Sequence, residues 1–410
     1  MKKSSGKMKK IFKITVILLA AALLMSPSAF ATNGDNLIGI GPISRAMGGV
    51  GVASPQDAIS AIFANPAAMC FGPYCPGSEA TFAGTYFSPT VKSKLNFSGF
   101  GMGKASETSQ MNPFIAPAIG ITSPITDKLR FGVGAYGLSG MGVDYKDTDP
   151  LYQNLYTQYQ IMKFAPNLAY LITPDLSVGA SVSIDYANLD LGTGGSHGYT
   201  LGFQLGALYH IGMFNLGLSY ITPQEVNHKR VFDFDGNGTL DDLKLESPNT
   251  VMFGVSMTPS YNWLIEFNAR WYNWADATGY DDFDWDNQLV FAIGAQYRPI
   301  TPLAIRAGFN YGKSPVNEHN GFNPMGTTNV QGMNVSNVNY EVFRVVGFPA
   351  IAETHMTFGV GYDLTTALVI NLSYVHAFEN TLSQTSAYNL ASMESSMSQD
   401  TVSLGLTWRF

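Results

Sequence analysis

The last ten residues, "TVSLGLTWRF" from Thr401 to Phe410, alternate without a break. Val402, Leu404, Leu406, Trp408 and Phe410 fall on one face, and Ser403, Gly405, Thr407 and Arg409 on the other. Period-two alternation of this length is a strand with one apolar and one polar face. The pattern recurs. "WLIEFNARWYNW" sets Trp263, Ile265, Phe267, Ala269 and Trp271 against Glu266, Asn268 and Arg270. "LSVGASVSIDY" sets Val178, Ala180, Val182, Ile184 and Tyr186 against Ser177, Gly179, Ser181, Ser183 and Asp185. A soluble sandwich also alternates, so the connections decide.

Two kinds of connection take turns. Short ones are "TDKL" from Thr126, "TPDL" from Thr173, "GMFN" from Gly212, "SYNW" from Ser260, "ITPL" from Ile300 and "TTAL" from Thr365. Longer polar ones are centred near residues 101, 148, 195, 238, 282, 332 and 389. Short turns at one end and long loops at the other are the signature of a transmembrane β-barrel. Six turns and seven loops join fourteen strands. The fold class is therefore all-β: a 14-stranded antiparallel transmembrane barrel, beginning near Glu79. Its strands reach the ~9–11 residues a tilted membrane strand needs. Closure removes edges that lipid cannot satisfy. An even count puts both ends of the barrel chain on one side, which in an outer membrane is periplasmic.

Composition agrees. Charged residues are 13%, aromatics 13%, and glycine counts 42. A soluble protein carries about 25% charged residues. At the start, Lys2, Lys3, Lys7, Lys9, Lys10 and Lys13 precede the apolar run "ITVILLAAALL" and the small residues "AFA", Ala29 to Ala31. This reads as a secretory signal over residues 1–31, cleaved after Ala31, since the run is shorter than the ~20 residues of a membrane anchor. Its removal leaves 17 basic residues against 30 acidic, a balance of −13. That balance argues against nucleic acid as a partner. No later apolar run is long enough for a spanning helix.

Cys70 and Cys75 flank "FGPY" in an exported chain. They read as a disulfide pair, a metal pair being the alternative that lacks neighbouring ligands. Residues 32–78 form a separate N-terminal unit ahead of the barrel, 79–410. "GIGPISRAMGGVGVA" is glycine-rich, and "SPQDAISAIF" reads as a short helix with Ser54 as N-cap and Pro55 in its first turn. The helix ends near Ala64, because Asn65 precedes Pro66.

"SRAMGGVGVASPQDAISAIFANPAAM", Ser44 to Met69, resembles the N-terminal hatch of the FadL family of outer-membrane transporters. The likeness rests on Arg45, Gly48, Gly49, the Asp57-Ala58 pair and Asn65-Pro66-Ala67. "FPAIAETHMTFGVGY", Phe348 to Tyr362, is similar to the family segment leading into the twelfth strand. The resemblance implies a Gram-negative outer-membrane protein whose hatch, with its short helices, plugs the lumen. It implies passive uptake of hydrophobic molecules, long-chain fatty acids first and aromatic hydrocarbons as the alternative. It further implies a kinked third strand, a gap in the wall near Asn65-Pro66-Ala67, and sideways release into outer-membrane lipid. Phe410 would be the signal read by the barrel assembly machinery. The third strand is "LRFGVGAYGLSG", where Gly132, Gly134, Gly137 and Gly140 either permit the bend or make room for the plug. One departure from the family pattern is a short loop after the fifth strand, "GTGGSHG", beside a long sixth loop from about Ser314 to Ala350.

Other chemistry is sparse. "DFDGNGTLDDLK" places Asp233, Asp235, Asn237 and Asp241 at calcium-loop spacing, but Lys244 stands where a bidentate glutamate belongs. It is either a structural calcium loop or a solvated acidic loop, and no cofactor is required. Lys163, Arg270, Arg298 and Arg306 on polar strand faces could hold a carboxylate head group, or could pair with lumen acids and plug. The six histidines are scattered, and no Ser/His/Asp arrangement stands out, so an enzyme at the barrel rim and a purely structural barrel remain outside readings.

Overall fold

A computed structural model describes residues 32–75 and 77–410. The signal segment and its cleavage point lie outside the described residues. Fourteen strands build the wall. They are β1 (Glu79–Asn96), β2 (Phe114–Pro124), β3 (Leu129–Asp144), β4 (Tyr156–Thr173), β5 (Leu176–Asp190), β6 (Ser196–Ile211) and β7 (Phe214–Ile221) in the first half. β8 (Thr250–Ser260), β9 (Trp263–Tyr272), β10 (Gln288–Ile300), β11 (Leu303–Gly312), β12 (Thr354–Asp363), β13 (Leu368–Thr385) and β14 (Ser392–Arg409) complete it. Each pairs antiparallel with its neighbour, and β14 returns to β1 from Arg409 opposite Glu79 to Ser392 opposite Asn96. The chain therefore closes on itself, so the sheet has no free first or last strand. Among the described residues no helix is long and apolar enough to cross a membrane, so the crossing is made by strands.

The wall is inside out. Large apolar side chains such as Leu205, Phe291, Phe358 and Leu404 are exposed, while Asn167, Gln204, Asn268 and Asn310 are buried. In the last strand Leu404, Leu406 and Trp408 face outward and Ser403, Gly405 and Thr407 inward, so the period-two pattern sorts lipid from lumen.

The lumen is filled by residues 32–75. Helix α1 (Pro42–Ala46), helix α2 (Ala58–Ala64) and a 3₁₀ turn (Pro66–Cys70) are all deeply buried. Helix α2 starts later than its sequence suggests. Its N-cap is Asp57, whose carboxylate accepts the Ser60 N–H at 2.8 Å, not Ser54. Ser54 spends its own N–H on Glu266 of β9, 3.1 Å away, and the chain stays extended until Asp57.

Plug and wall meet at main-chain contact distance. Gly48 and Gly49 turn with φ of +72° and +87°, where a side chain would be strained. A Cβ on Gly308 of β11 would lie 2.2 Å from the Gly48 nitrogen, and Gly179, Gly217 and Gly294 make the same approach elsewhere around the ring. The glycine richness of the sequence is thus a belt that admits the plug. The plug also touches the barrel seam. Ala58 N–H, the first of helix α2, donates to Glu79 Oε1 at 2.8 Å, and Glu79 Oε2 accepts from Arg409 at 2.9 Å. Ser78 and Phe410 exchange both main-chain bonds at 3.0 Å, and the exposed Phe410 ring packs on Trp408.

A Gly308→Val substitution should unseat the plug while leaving the strands intact. Strand content by circular dichroism should stay unchanged, and ion conductance through single barrels in a planar bilayer should rise at least tenfold. Unchanged conductance would show that the close approach is not what seals the lumen.

Candidate functional site

The grip on the plug is made of side chains that answer its main chain. Glu266 is fully buried, and its carboxylate accepts the N–H groups of Gly51 (3.0 Å), Ala53 (2.8 Å) and Ser54 (3.1 Å). Asn268, two residues on and on the same face, accepts from Gly51 and Val52. Arg270 donates to the carbonyls of Ile38, at 2.6 Å, and Gly49. From the plug side, Arg45 donates to Thr401 of β14 at 3.0 Å and to Gly39. Each interaction removes an orphan polar group from a buried, irregular segment.

The wall has a gap. Pairing between β2 and β3 runs from Pro124 opposite Arg130 to Ala118 opposite Tyr136 and then stops. Strand β3 continues to Asp144 against β4, with a bulge at Leu138, while residues 114–117 of β2 pair only with β1. Pro113 and Pro117 cannot donate to a ladder, and the bulge turns β3 away. The two strands rejoin where the Gln110 N–H reaches Asp144 O at 2.8 Å and the Asp144 N–H reaches Ser109 Oγ at 2.9 Å. Between these limits the wall is open.

The gap sits where the third strand was expected to bend, but two expectations about it fail. Gly132 and Gly134 are not at the gap. A Cβ on Gly132 would press on Met69 and one on Gly134 on Ile62, so these two make room for the plug. Gly137 lies beside Ala116 at the gap, and Gly140 has open space around it. Asn65-Pro66-Ala67 is not at the gap either. Asn65 donates to Val52 O (2.8 Å) and Ala207 O (3.0 Å), and Ser177 Oγ donates to Ala67 O (2.8 Å), so this turn packs on β5 and β6. The plug segment that faces the gap is the first one, Thr32 to Asn36, with Asn36 bridged to Ser139 of β3.

Behind the gap lie two cavities. The first is bordered by Thr32, Asp35, Phe87, Phe114, Gly140 and Met397. The second, deeper and under the long loops, is bordered by Tyr159, Tyr280, Phe283, Trp285, Phe343 and Phe348, with Arg344 at its edge. Met141 borders both. Free space in each is only about 30 Å³, so a passing molecule must push side chains aside. Asp35 and Tyr280 stand between them, the Tyr280 hydroxyl donating to Asp35 at 2.6 Å. Burial pushes the Asp35 carboxyl up to about 6. Apart from Tyr159 of β4, the aromatic rings come from the fifth long connection, 273–287, and the sixth, 313–353. In the sixth, helix α3 (Asn337–Val342) runs into a π turn, Phe343–Gly347, anchored where Gly347 O accepts from Thr157 at 2.5 Å.

None of the candidate head-group cations stands free. Lys163 pairs with Asp185 at 2.9 Å and donates to Gln224 at 2.6 Å. Arg270 holds the plug. Arg298 pairs with Asp363 at 3.3 Å near the short-turn end, and Arg306 donates to Gln296 (2.7 Å) and Asn371 (3.0 Å). Arg344, which the sequence reading passed over, pairs with Glu341 at 2.7 Å and donates to Phe283 O at 2.6 Å.

One further expectation is corrected. Cys70 and Cys75 are free thiols, not a disulfide. Cys75 Sγ instead points at Cys70 O, 3.2 Å away, and takes a bond from Arg130 at 3.1 Å. The acidic loop does gather Asp233, Asp235 and Asp241, with ligand atoms within 4.8 Å of one another. Its oxygens, however, already accept main-chain N–H groups: Asp233 from Asn237 and Gly238, Asp241 from Phe234. Asn237 Oδ1 accepts the Thr239 N–H, and Lys244 turns away to pair with Glu225 at 3.1 Å. With Lys244 in place of the last glutamate, the donor set fits calcium only in part.

Comparison with known proteins agrees with this geometry. Residues 18–322 match the profile of the family described as outer membrane protein transport protein (OMPP1/FadL/TodX). Among solved structures, the toluene transporter TodX of P. putida superposes with a TM-score of 0.66 at 19% identity, covering 91% of this chain and 99% of that one. A Pseudomonas aeruginosa FadL homologue gives 0.67 at 15%, covering 94% and 100%. The Ralstonia pickettii toluene transporter TbuX gives 0.63 at 18%, covering 91% and 98%. No curated protein sequence matches the chain.

Replacing Glu266 by Gln leaves one acceptor where there were two and turns an N–H towards the plug. Charge-assisted bonds are worth about 1.5–3 kcal/mol each, so main-chain exchange of residues 51–54 should quicken by roughly tenfold or more. Hydrogen exchange read by mass spectrometry checks this, and unaltered protection there would dismiss the grip.

Proposed function

The chain belongs to the OMPP1/FadL/TodX family of outer-membrane transport proteins, and from that premise we propose that it admits neutral hydrophobic molecules of about aromatic-ring size and releases them sideways into the membrane. Transport of hydrophobic compounds across a Gram-negative outer membrane is what the family does. The finer reading, cargo class and route, is carried by one observation: the break between β2 and β3 opens onto a cavity that shares Met141 with the aromatic chamber.

The route makes physical sense. An apolar molecule gains about 25 cal/mol for each Å² it withdraws from water. A path from the aromatic chamber through the wall never returns it to water, and its descent into lipid needs no energy source. A plug gripped on every side keeps ions from following.

The cation census favours a neutral cargo. Arg344, Lys163, Arg270 and Arg306 are all engaged. A carboxylate would have to break such a pairing, and breaking a buried ion pair costs about 3–5 kcal/mol. Two of the barrels it superposes on are described as toluene transporters. Long-chain fatty acids are the second reading. Lys163 supports them, because it borders a further small cavity with Phe63, Leu138, Ile221 and Met252, where an ammonium meets apolar walls. The reading is of a channel, not an enzyme, with the assembly machinery recognising Phe410.

Placing a tryptophan at Gly140 should fill the gap and the cavity behind it, between β3 and the first plug segment. Toluene uptake by cells carrying the G140W barrel should fall at least tenfold against wild type, with barrel mobility on gels unchanged. Uptake at the wild-type rate would refute the sideways route. Faster uptake of oleate than of toluene by the wild-type barrel would instead select the fatty-acid reading.

A further inference from the structure

His319 lies in the sixth long connection, above the aromatic chamber, and both of its ring nitrogens meet carboxylates. Nε2 is 2.6 Å from Asp284 of the fifth connection, and Nδ1 is 2.6 Å from Glu341 at helix α3. A neutral imidazole can donate through only one nitrogen, so two carboxylates at this distance call for the imidazolium. The ring also stacks at 6.3 Å on Tyr340, whose hydroxyl donates to Asp282 O at 2.9 Å, and its main-chain N–H donates to Gln384 of β13 at 3.2 Å. Arg344 Nη1, 3.0 Å from Nδ1, works against the charge. Arg344 is itself held by Glu341, Asn317 O and Phe283 O.

From this geometry we propose that His319 is the clasp of a lid: while its imidazolium bridges Asp284 and Glu341, the fifth and sixth connections stay closed over the aromatic chamber, and loss of that proton loosens them. The elements it joins carry Phe283, Trp285 and Phe343, three of the chamber's rings. Other bonds also cross between the two connections, Tyr340 to Asp282 O, Arg344 to Phe283 O and the Asp286 N–H to Pro315 O, and the His319 bridge is the part of that set that loss of a proton removes. Glu341 and Asp284 together raise the His319 pKa above its ordinary value of 6.5, outweighing burial and Arg344. The sign follows. The bridge is complete below the ordinary histidine range and is lost as pH rises through the raised value, so acid keeps the lid shut and alkali frees it. Asp284 and Glu341 are correspondingly held below their usual carboxylate range.

The lid is distinct from the route of release, and its test needs no cargo. Hydrogen exchange of residues 279–287 and 341–347 is followed in the full-length barrel from pH 5.5 to 9.5, corrected for intrinsic exchange. Wild type should lose about tenfold protection in both segments in a single step as His319 deprotonates. His319→Ala should lack the step and exchange fast throughout. Asp284→Asn, which keeps Glu341 and so preserves the fold if the alanine variant does not, should move the step to lower pH. Absence of a step in wild type, a step that survives in H319A, or one unmoved in D284N would each overturn the clasp. Toluene uptake through the side gap can stand or fall independently of any of these results.

Discussion

A single carboxylate inside the lumen, that of Glu266, gathers three plug N–H groups, and much of the structure follows from the need it meets. A barrel wide enough for fourteen strands cannot fill its interior with its own side chains. The chain fills it with an irregular segment instead, and an irregular segment buried from water carries unpaired main-chain groups. Glu266, Asn268 and Arg270, successive lumen-facing residues of β9, and Thr357 of β12 receive them. Where the wall offers no polar side chain it offers glycine, so that backbone can lie on backbone.

Much of the fold could be read directly from the sequence, because a lipid-facing strand writes its orientation into every second residue. Leu404 and Ser403 differ in polarity for the same reason that they differ in position. Strand count and loop alternation came from the same rule, and the hatch came from its likeness to a family. The site was less legible. Arg270 and Arg306 look alike in sequence, as polar-face arginines, yet one holds plug carbonyls and the other wall amides. Nothing in the spacing distinguishes a cation waiting for a ligand from one already spent. The gap was sought in the glycines of the third strand, whereas part of its signal lay in the neighbour. Pro113 and Pro117 mark a stretch of β2 that cannot complete a ladder on both sides.

The aromatic chamber was hidden for a different reason. Its rings come from one strand, through Tyr159, and from two separate connections, and only the folded loops bring Trp285 and Phe343 to one cavity. The plug's contact with the gap was expected at Asn65, but that turn packs on β5 and β6, away from the opening. The segment at the opening, Thr32 to Asn36, carries little sequence pattern of its own.

The seam at Glu79 has a consequence for biogenesis. One carboxylate joins the first strand, the final residue of the last, and the leading amide of helix α2. That three-way contact cannot exist until the final strand has zipped onto the first. The plug thus lacks one of its moorings in any half-built barrel, and docking is thermodynamically coupled to completion.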